Sequence, residues 1–126
     1  MSVKRRTLID GIYLTYYEMG KGQTILFLHG GRLRAKTFQS TIESLSNNFH
    51  VIAPDIPGYG NSSTPRADWT YRDYAIFFNK FINFFEKKTN IYSGGNAFTT
   101  TLFFTVFLKY TYHNNLIFLR HTTFYK

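Results

Sequence analysis

The sequence contains no cysteine, which excludes disulfide bonds and zinc sites built from thiolates and leaves the redox compartment open. Long hydrophobic runs are also missing. The longest apolar segment, 97–108, holds four threonines and is too short to cross a bilayer. The basic start, Met1 to Arg6, leads into no apolar stretch of signal-peptide length. We therefore expect a cytoplasmic protein with no membrane partner.

Carboxylates are absent after Glu86, whereas basic and aromatic residues continue to the C-terminus. The net charge of +8 thus comes partly from missing acids, and the only dense basic run is Lys4-Arg5-Arg6. This distribution argues against a nucleic-acid partner, so a basic nucleic-acid binder is only a third hypothesis. No residue cluster has metal-ligand spacing and no nucleotide-binding motif is present, so we expect neither metal nor cofactor.

Strand and helix patterns alternate along the chain. Apolar, β-branched and aromatic runs predict strands at 3–9, 12–17, 24–28, 50–53, 89–93 and 116–119. Helical spacing of apolar residues predicts helices at 35–47 and 71–87, and a third at 102–110, although its Thr, Phe and Val content favours strand. The alternation after residue 24 predicts the α/β class, with a mainly parallel sheet, flanking helices and one domain over 1–126.

Three segments carry a family resemblance. Leu26 to Gly31 is an apolar run that ends in His-Gly-Gly, 51–62 contains Asp-Ile-Pro-Gly-Tyr-Gly, and Tyr71 to Ala75 opens a helix. In this order and spacing they resemble the α/β-hydrolase superfamily, in the branch of small esterases, proline iminopeptidases and haloalkane or epoxide hydrolases. The resemblance covers 8–119. It implies a truncated α/β-hydrolase fold that has strands one to about six and lacks the later strands and the cap.

The resemblance implies roles for three residues near the first two motifs. A backbone N–H at or next to Gly31 would form one half of the oxyanion hole, because a glycine lets the backbone turn sharply towards the substrate. The alternative is that these glycines only turn the chain. We expect His29 to be structural, with its ring bonded to local backbone. We expect Asp55 to bond nearby backbone as well, and not to be a triad acid.

The segment Gly95 to Thr100 lies where the family carries Gly-x-Ser-x-Gly-Gly, the turn that presents the nucleophile. In this register Ala97 occupies the nucleophile position and the N–H of Phe98 would complete the oxyanion hole. A second register uses Ser93 as the nucleophile, but it places Ile91 at the first glycine of the motif and shortens the preceding strand. We favour the register of Ala97.

An alanine at the nucleophile position provides no Oγ for a base to activate, and loss of that group costs about a millionfold in rate. No carboxylate follows Glu86 to orient His113 or His121 as a base. The sequence thus predicts serine-hydrolase ancestry, with a small ester- or amide-like substrate if active, in a chain that is catalytically impaired. The alternative is a non-catalytic binding protein on the same scaffold. In either case the last strand would form an exposed sheet edge, open to pairing with another chain.

Overall fold

The computed structural model describes residues 2–30, 33–66, 68–83, 89–94 and 118–121. Its centre is a six-stranded sheet in the order β1-β2-β4-β3-β5-β6. The strands are Val3–Ile9 (β1), Ile12–Met19 (β2), Gln23–Leu28 (β3), Phe49–Pro54 (β4), Thr89–Gly94 (β5) and Phe118–His121 (β6). A 3₁₀ helix, Ala35–Phe38, precedes helix α1, Gln39–Leu45, and helix α2 is Tyr71–Ile82.

The sheet is mixed. Strands β4, β3, β5 and β6 pair in parallel, whereas β1–β2 and β2–β4 are antiparallel. Strand β3 lies inside the sheet, and all its residues after Gln23 are buried, which explains its unbroken apolar sequence. The predicted α/β class with a mainly parallel sheet is confirmed.

A two-residue turn joins β1 to β2. Asp10 and Gly11 both have positive φ, 49° and 78°, and Ile9 faces Ile12 in the ladder. Positive φ at both central positions is the type I′ geometry, which matches the twist of a hairpin and favours Asp-Gly. This turn fixes the register of the β1–β2 pair.

Each face of the sheet is covered by helical structure. On one face, α2 packs aromatic side chains, among them Phe77, Phe78 and Phe81, against apolar residues of β2, β3 and β4. On the other face, Phe38 of the 3₁₀ helix and Ile42 of α1 pack on Phe27 and its neighbours. Strand β3 contributes to both cores, because alternate residues point to opposite faces.

Helix α2 begins with a capping box. The Thr70 hydroxyl accepts a hydrogen bond from the Asp73 N–H at 3.3 Å, and the Asp73 carboxylate accepts one from the Thr70 N–H at 2.8 Å. The helix begins at Tyr71 as predicted and ends at Ile82, with Asn83 as its C-cap. The predicted continuation over 84–87 lies outside the described residues.

Other predicted boundaries differ slightly from the structure. The helix predicted at 35–47 begins as a 3₁₀ turn and ends at Leu45. The last strand is Phe118–His121, two residues later than predicted. It stands at the end of the strand order, as an edge strand should. The helix predicted at 102–110 lies outside the described residues.

Candidate active-site edge of the sheet

The carboxyl ends of β3, β4 and β5 meet at one edge of the sheet. In the ladders Leu26 is paired with Ile52 of β4, and Leu28 with Ser93 of β5. Open parallel sheets bind their ligands outside this edge, where the strands pass into loops. The chain that follows each strand there is therefore the candidate active-site region.

His29 directly follows β3 and is bonded to backbone through both ring nitrogens. Its Nε2 accepts a hydrogen bond from the Ile56 N–H at 2.9 Å, so Nδ1 carries the proton and donates to the Gly30 carbonyl at 2.7 Å. The ring is only 2% exposed and meets the Tyr59 ring edge-on, with centroids 5.8 Å apart. The predicted structural role of His29 is confirmed, because neither nitrogen is left to act as a base.

Burial lowers the pKa of the His29 imidazole, since desolvation disfavours the charged ring. The hydrogen bond to the Gly30 carbonyl and the charge of Asp55 act in the opposite direction without offsetting burial. The ring is therefore held neutral, in the tautomer that both backbone contacts require.

Asp55 follows β4 and joins three segments of chain. One carboxylate oxygen accepts from the Ala35 N–H at 2.8 Å and the other accepts from the Asn61 N–H at 3.0 Å. Its own N–H donates to the Thr15 carbonyl of β2 at 2.8 Å. The side chain is buried. The prediction that Asp55 bonds nearby backbone is confirmed, and both oxygens serve the loops rather than a histidine.

Gly60 makes room for this carboxylate. It has a φ of +52°, and a Cβ added there would lie 2.3 Å from Asp55 Oδ2. A side chain at this position would combine left-handed backbone strain with direct overlap. The second glycine of Gly-Tyr-Gly is thus explained by close approach to Asp55.

The loop 55–63 is fastened along β2. The Ser62 hydroxyl donates to the Asp55 carbonyl at 2.6 Å and accepts from the Thr15 N–H at 2.9 Å. Ser63 exchanges two hydrogen bonds with the backbone of Tyr13. Both hydroxyls thus bond backbone groups and hold the loop against β2.

Helix α2 holds the same loop from the other side. The Tyr74 hydroxyl donates to the Pro57 carbonyl at 3.1 Å, and partial burial raises the pKa of that phenol. Sequence reasoning found a family motif at 51–62 and a backbone-bonding role for Asp55, but it missed the hydrogen bonds of Ser62, Ser63 and Tyr74. The residue types give no sign of the partners, which are up to 50 positions away in the chain.

Of the residues predicted for the oxyanion hole and the nucleophile, the structure describes Ser93. Gly31, Ala97 and Phe98 lie outside the described residues. Ser93 is the fifth residue of β5, where its backbone is paired in register with Leu28 on one side and Arg120 on the other. Strand β5 continues to Gly94, so Ser93 lies within the ladder rather than on a turn after it.

A second polar chain crosses the opposite end of these strands. Thr24 Oγ1 lies 3.0 Å from His50 Nδ1, and His50 Nε2 donates to a Glu18 oxygen at 2.5 Å. The other Glu18 oxygen accepts from Arg5 Nε at 2.5 Å. Burial acts to raise the pKa of the Glu18 carboxyl, but the hydrogen bonds and charges of His50 and Arg5 outweigh it and lower that pKa. Sequence reasoning missed this chain.

Neither a cluster of metal ligands nor a membrane-spanning helix is found in the described part of the molecule. Within it, no three His, Asp or Glu side chains converge as metal ligands would. None of its helices has the length and apolar character needed to cross a membrane.

The family assignment follows from comparison with known proteins. The model of the α/β-hydrolase fold family matches residues 23–93, more than half of the chain. The chain belongs to the α/β-hydrolase fold family. The matched range contains β3, His29, Asp55, Gly60 and α2, the elements that build the carboxyl edge described above.

Several characterised proteins are similar over this range. The chain is 36% identical over 59 residues to an (E)-2-((N-methylformamido)methylene)succinate hydrolase of Acinetobacter baylyi. The aligned segment covers 47% of this chain and 22% of that protein. It is 32% identical over 71 residues to a haloalkane dehalogenase of Mesorhizobium japonicum, covering 56% and 23%. The matches thus span less than a quarter of these relatives.

Solved structures show the same fold. An epoxide hydrolase from Vigna radiata superposes with a TM-score of 0.81 at 19% identity, over 94% of this chain and 38% of that one. The epoxide hydrolase CorEH gives 0.79 at 21% identity, over 95% and 42%. At these identities the likeness concerns the fold alone.

Proposed function

We propose that this chain is a serine-hydrolase scaffold, derived from enzymes that cleave ester, amide or related bonds, whose catalytic turn no longer carries its nucleophile. The observation that carries the proposal is the length of β5. The strand runs through Gly94. A turn that follows this strand would begin at Gly95 and would have Ala97 at the nucleophile position. Ser93, inside the ladder, fits the alternative register poorly.

The proposed roles follow from this register. The N–H groups of Gly31 and Phe98 would form the oxyanion hole, and Ala97 would face the scissile carbonyl without an Oγ to attack it. His29 and Asp55 hold the loops at the carboxyl edge of the sheet. Because their nitrogens and oxygens are occupied by backbone, neither is placed to serve as the base or acid of a triad. We therefore expect the chain to bind an oxyanion-like group although it does not turn over a substrate.

A fluorophosphonate probe tests the proposal, since it labels serines that a base has activated. We expect no stoichiometric labelling of the wild-type chain, and the same result for Ser93→Ala. A catalytically active family member, treated in parallel, controls for the probe. Stoichiometric labelling of the wild type that disappears in Ser93→Ala would assign the nucleophile to Ser93 and overturn the proposal.

A second candidate is a non-catalytic binding protein. It is favoured by the carboxyl edge, whose buried hydrogen bonds are satisfied without any nucleophile. The end position of β6 offers a further surface where another chain could add a strand. This candidate predicts a monodisperse protein in light scattering, with saturable binding of a partner. Aggregation on purification would count against it.

A further inference from the structure

The basic run Lys4-Arg5-Arg6 is divided between the two faces of the sheet. Arg5 lies on the face of Glu18, to which it is ion-paired. Lys4 is opposite Tyr17 and Arg6 is opposite Thr15 in the β1–β2 ladder. Directly opposed residues of an antiparallel pair share a face. Lys4 and Arg6 therefore lie together on the other face, about 7 Å apart along the strand.

These two cations border a depression that we call the basic groove. It is lined by Lys4, Arg5, Arg6, Thr15 and Asn61, and its volume is about 470 Å³. This volume lies within the range of about 300–1,000 Å³ usual for small-molecule sites. Asn61 comes from the loop 55–63, so the groove forms only where that loop is fastened to β2.

The wall and floor of the groove are held in place. The Arg6 guanidinium lies 4.4 Å from the centre of the Tyr13 ring, a cation–π contact that restricts the arginine. The Thr15 hydroxyl donates to the Asn61 carbonyl at 3.0 Å, and the Asn61 N–H donates to Asp55. With its backbone fixed, Asn61 is an exposed residue that lines the groove.

No carboxylate of the described residues neutralises this face. None of the ion pairs among the described residues includes Lys4, Arg6 or Lys36. The Lys36 Nζ lies on the same face as Lys4 and Arg6, 5.8 Å from the centre of the Tyr17 ring. Carboxylates with partners elsewhere are Asp10 (Lys80), Glu18 (Arg5 and His50), Glu43 (Gln39), Asp55 (Ala35 and Asn61) and Asp73 (Thr70). The charge of Asp68 acts on Tyr74 of α2, where it helps to raise the pKa of the phenol.

We propose that the basic groove binds a small molecule bearing phosphate groups. Arg6 and Lys4 supply charged N–H donors, and none of the ion pairs among the described residues involves either of them, which suits phosphate recognition. A membrane surface calls for clusters of about four to eight basic residues, whereas Lys4, Arg6 and Lys36 are the ones placed on this face among the described residues. The groove uses none of the residues assigned to catalysis, so the proposal is independent of the proposed function.

Titration calorimetry with pyrophosphate tests the site on the whole chain. We expect saturable binding at low ionic strength that weakens as salt is raised. Lys4→Gln and Arg6→Gln should each weaken binding by about tenfold, because each removes one charged donor. Lys80→Gln is the matched control: it removes the same charge from helix α2, which packs on the opposite face of the sheet, and should change the affinity by less than about twofold.

Two outcomes of this titration would overturn the proposal. One is no binding by the wild type, and the other is equal weakening by Lys80→Gln, which would mean that only net charge matters. Circular dichroism checks that each variant is folded. As a second measurement, pyrophosphate should shift the NMR signals of the Asn61 side-chain amide; shifts centred elsewhere would refute the site.

The source of the phosphate is distinguished by two further ligands, vesicles of mixed phosphatidylcholine and phosphatidylserine and a single-stranded DNA oligonucleotide. We expect both to bind more weakly than pyrophosphate at physiological salt. Tighter binding of vesicles or of DNA that is lost in Lys4→Gln and Arg6→Gln would overturn the small-molecule proposal in favour of that surface or polymer.

Discussion

His29 and His50 lie at opposite ends of the same pair of parallel strands, and their surroundings differ. His29 follows the carboxyl end of β3, is almost fully buried, and has backbone groups as its hydrogen-bond partners. His50 lies near the amino end of β4, is partly exposed, and is bonded to the side chains of Thr24 and Glu18. One histidine organises loops, and the other joins strands.

The two ends of these strands are held by different kinds of contact. Contacts to backbone at the carboxyl edge fix where the loops run, so they matter wherever a ligand binds there. Side-chain contacts at the amino end link residues of four strands through Thr24, His50, Glu18 and Arg5, and no loop geometry depends on them. We therefore expect substitutions at the carboxyl edge to cost more stability than those at the amino end.

The largest effect is expected for Gly60→Ala. Its Cβ would displace the Asp55 carboxylate from two backbone N–H groups and strain the left-handed backbone, at a combined cost of about 4 kcal/mol. Urea unfolding measures the change. Gly11→Ala is the matched control, since Gly11 also has positive φ but nothing lies within 4 Å of its added Cβ. It should cost only about 1 kcal/mol. Equal costs would mean that the contact with Asp55 contributes nothing.

An intermediate effect is expected for His29→Gln, which can still accept from Ile56 but loses the ring and its contact with Gly30. We expect a loss of about 2 kcal/mol at neutral pH. Because burial lowers the folded-state pKa of His29 below its unfolded value of about 6.5, the neutral ring stabilises the protein above that pH. This contribution disappears as pH falls through the folded pKa.

Unfolding free energies measured from about pH 7.5 to about pH 5 check the sign of this effect. The difference between wild type and His29→Gln should shrink as the pH falls, because glutamine does not titrate. If the difference stays constant over this range, His29 has no lowered pKa in the folded protein.

The smallest effect is expected for Thr24→Val at the amino end. The substitution keeps the shape of the buried side chain and removes its hydroxyl from His50, at a cost of about 1 kcal/mol. A double-mutant cycle with His50→Gln isolates the contact, since Thr24→Val should cost less in that background. Additive costs would show that the two residues do not interact. A cost above that of Gly60→Ala would reverse the comparison of the two ends.

Sequence predicted the parts of this fold that depend on local pattern. The apolar run of β3 and the helical spacing of α2 are each contained in a segment of a dozen residues or fewer. The structural roles of His29 and Asp55 followed from their family motifs. The Thr24–His50–Glu18–Arg5 chain was missed because its members come from four strands, and only the pairing register brings them together. The Asp10-Gly11 turn was missed as well, although its dipeptide is a strong local signal for a hairpin.

The strand order also has a consequence for how the chain folds. Strand β4 is inserted between β2 and β3, both of which precede it in the sequence. The β1–β2 hairpin, closed by a two-residue turn, can form within about 1–10 μs, because its contacts are local. The β2 and β3 strands, in contrast, present unpaired backbone to each other until Phe49–Pro54 enters between them. We therefore expect the nascent chain to be prone to misassociation until this strand is made.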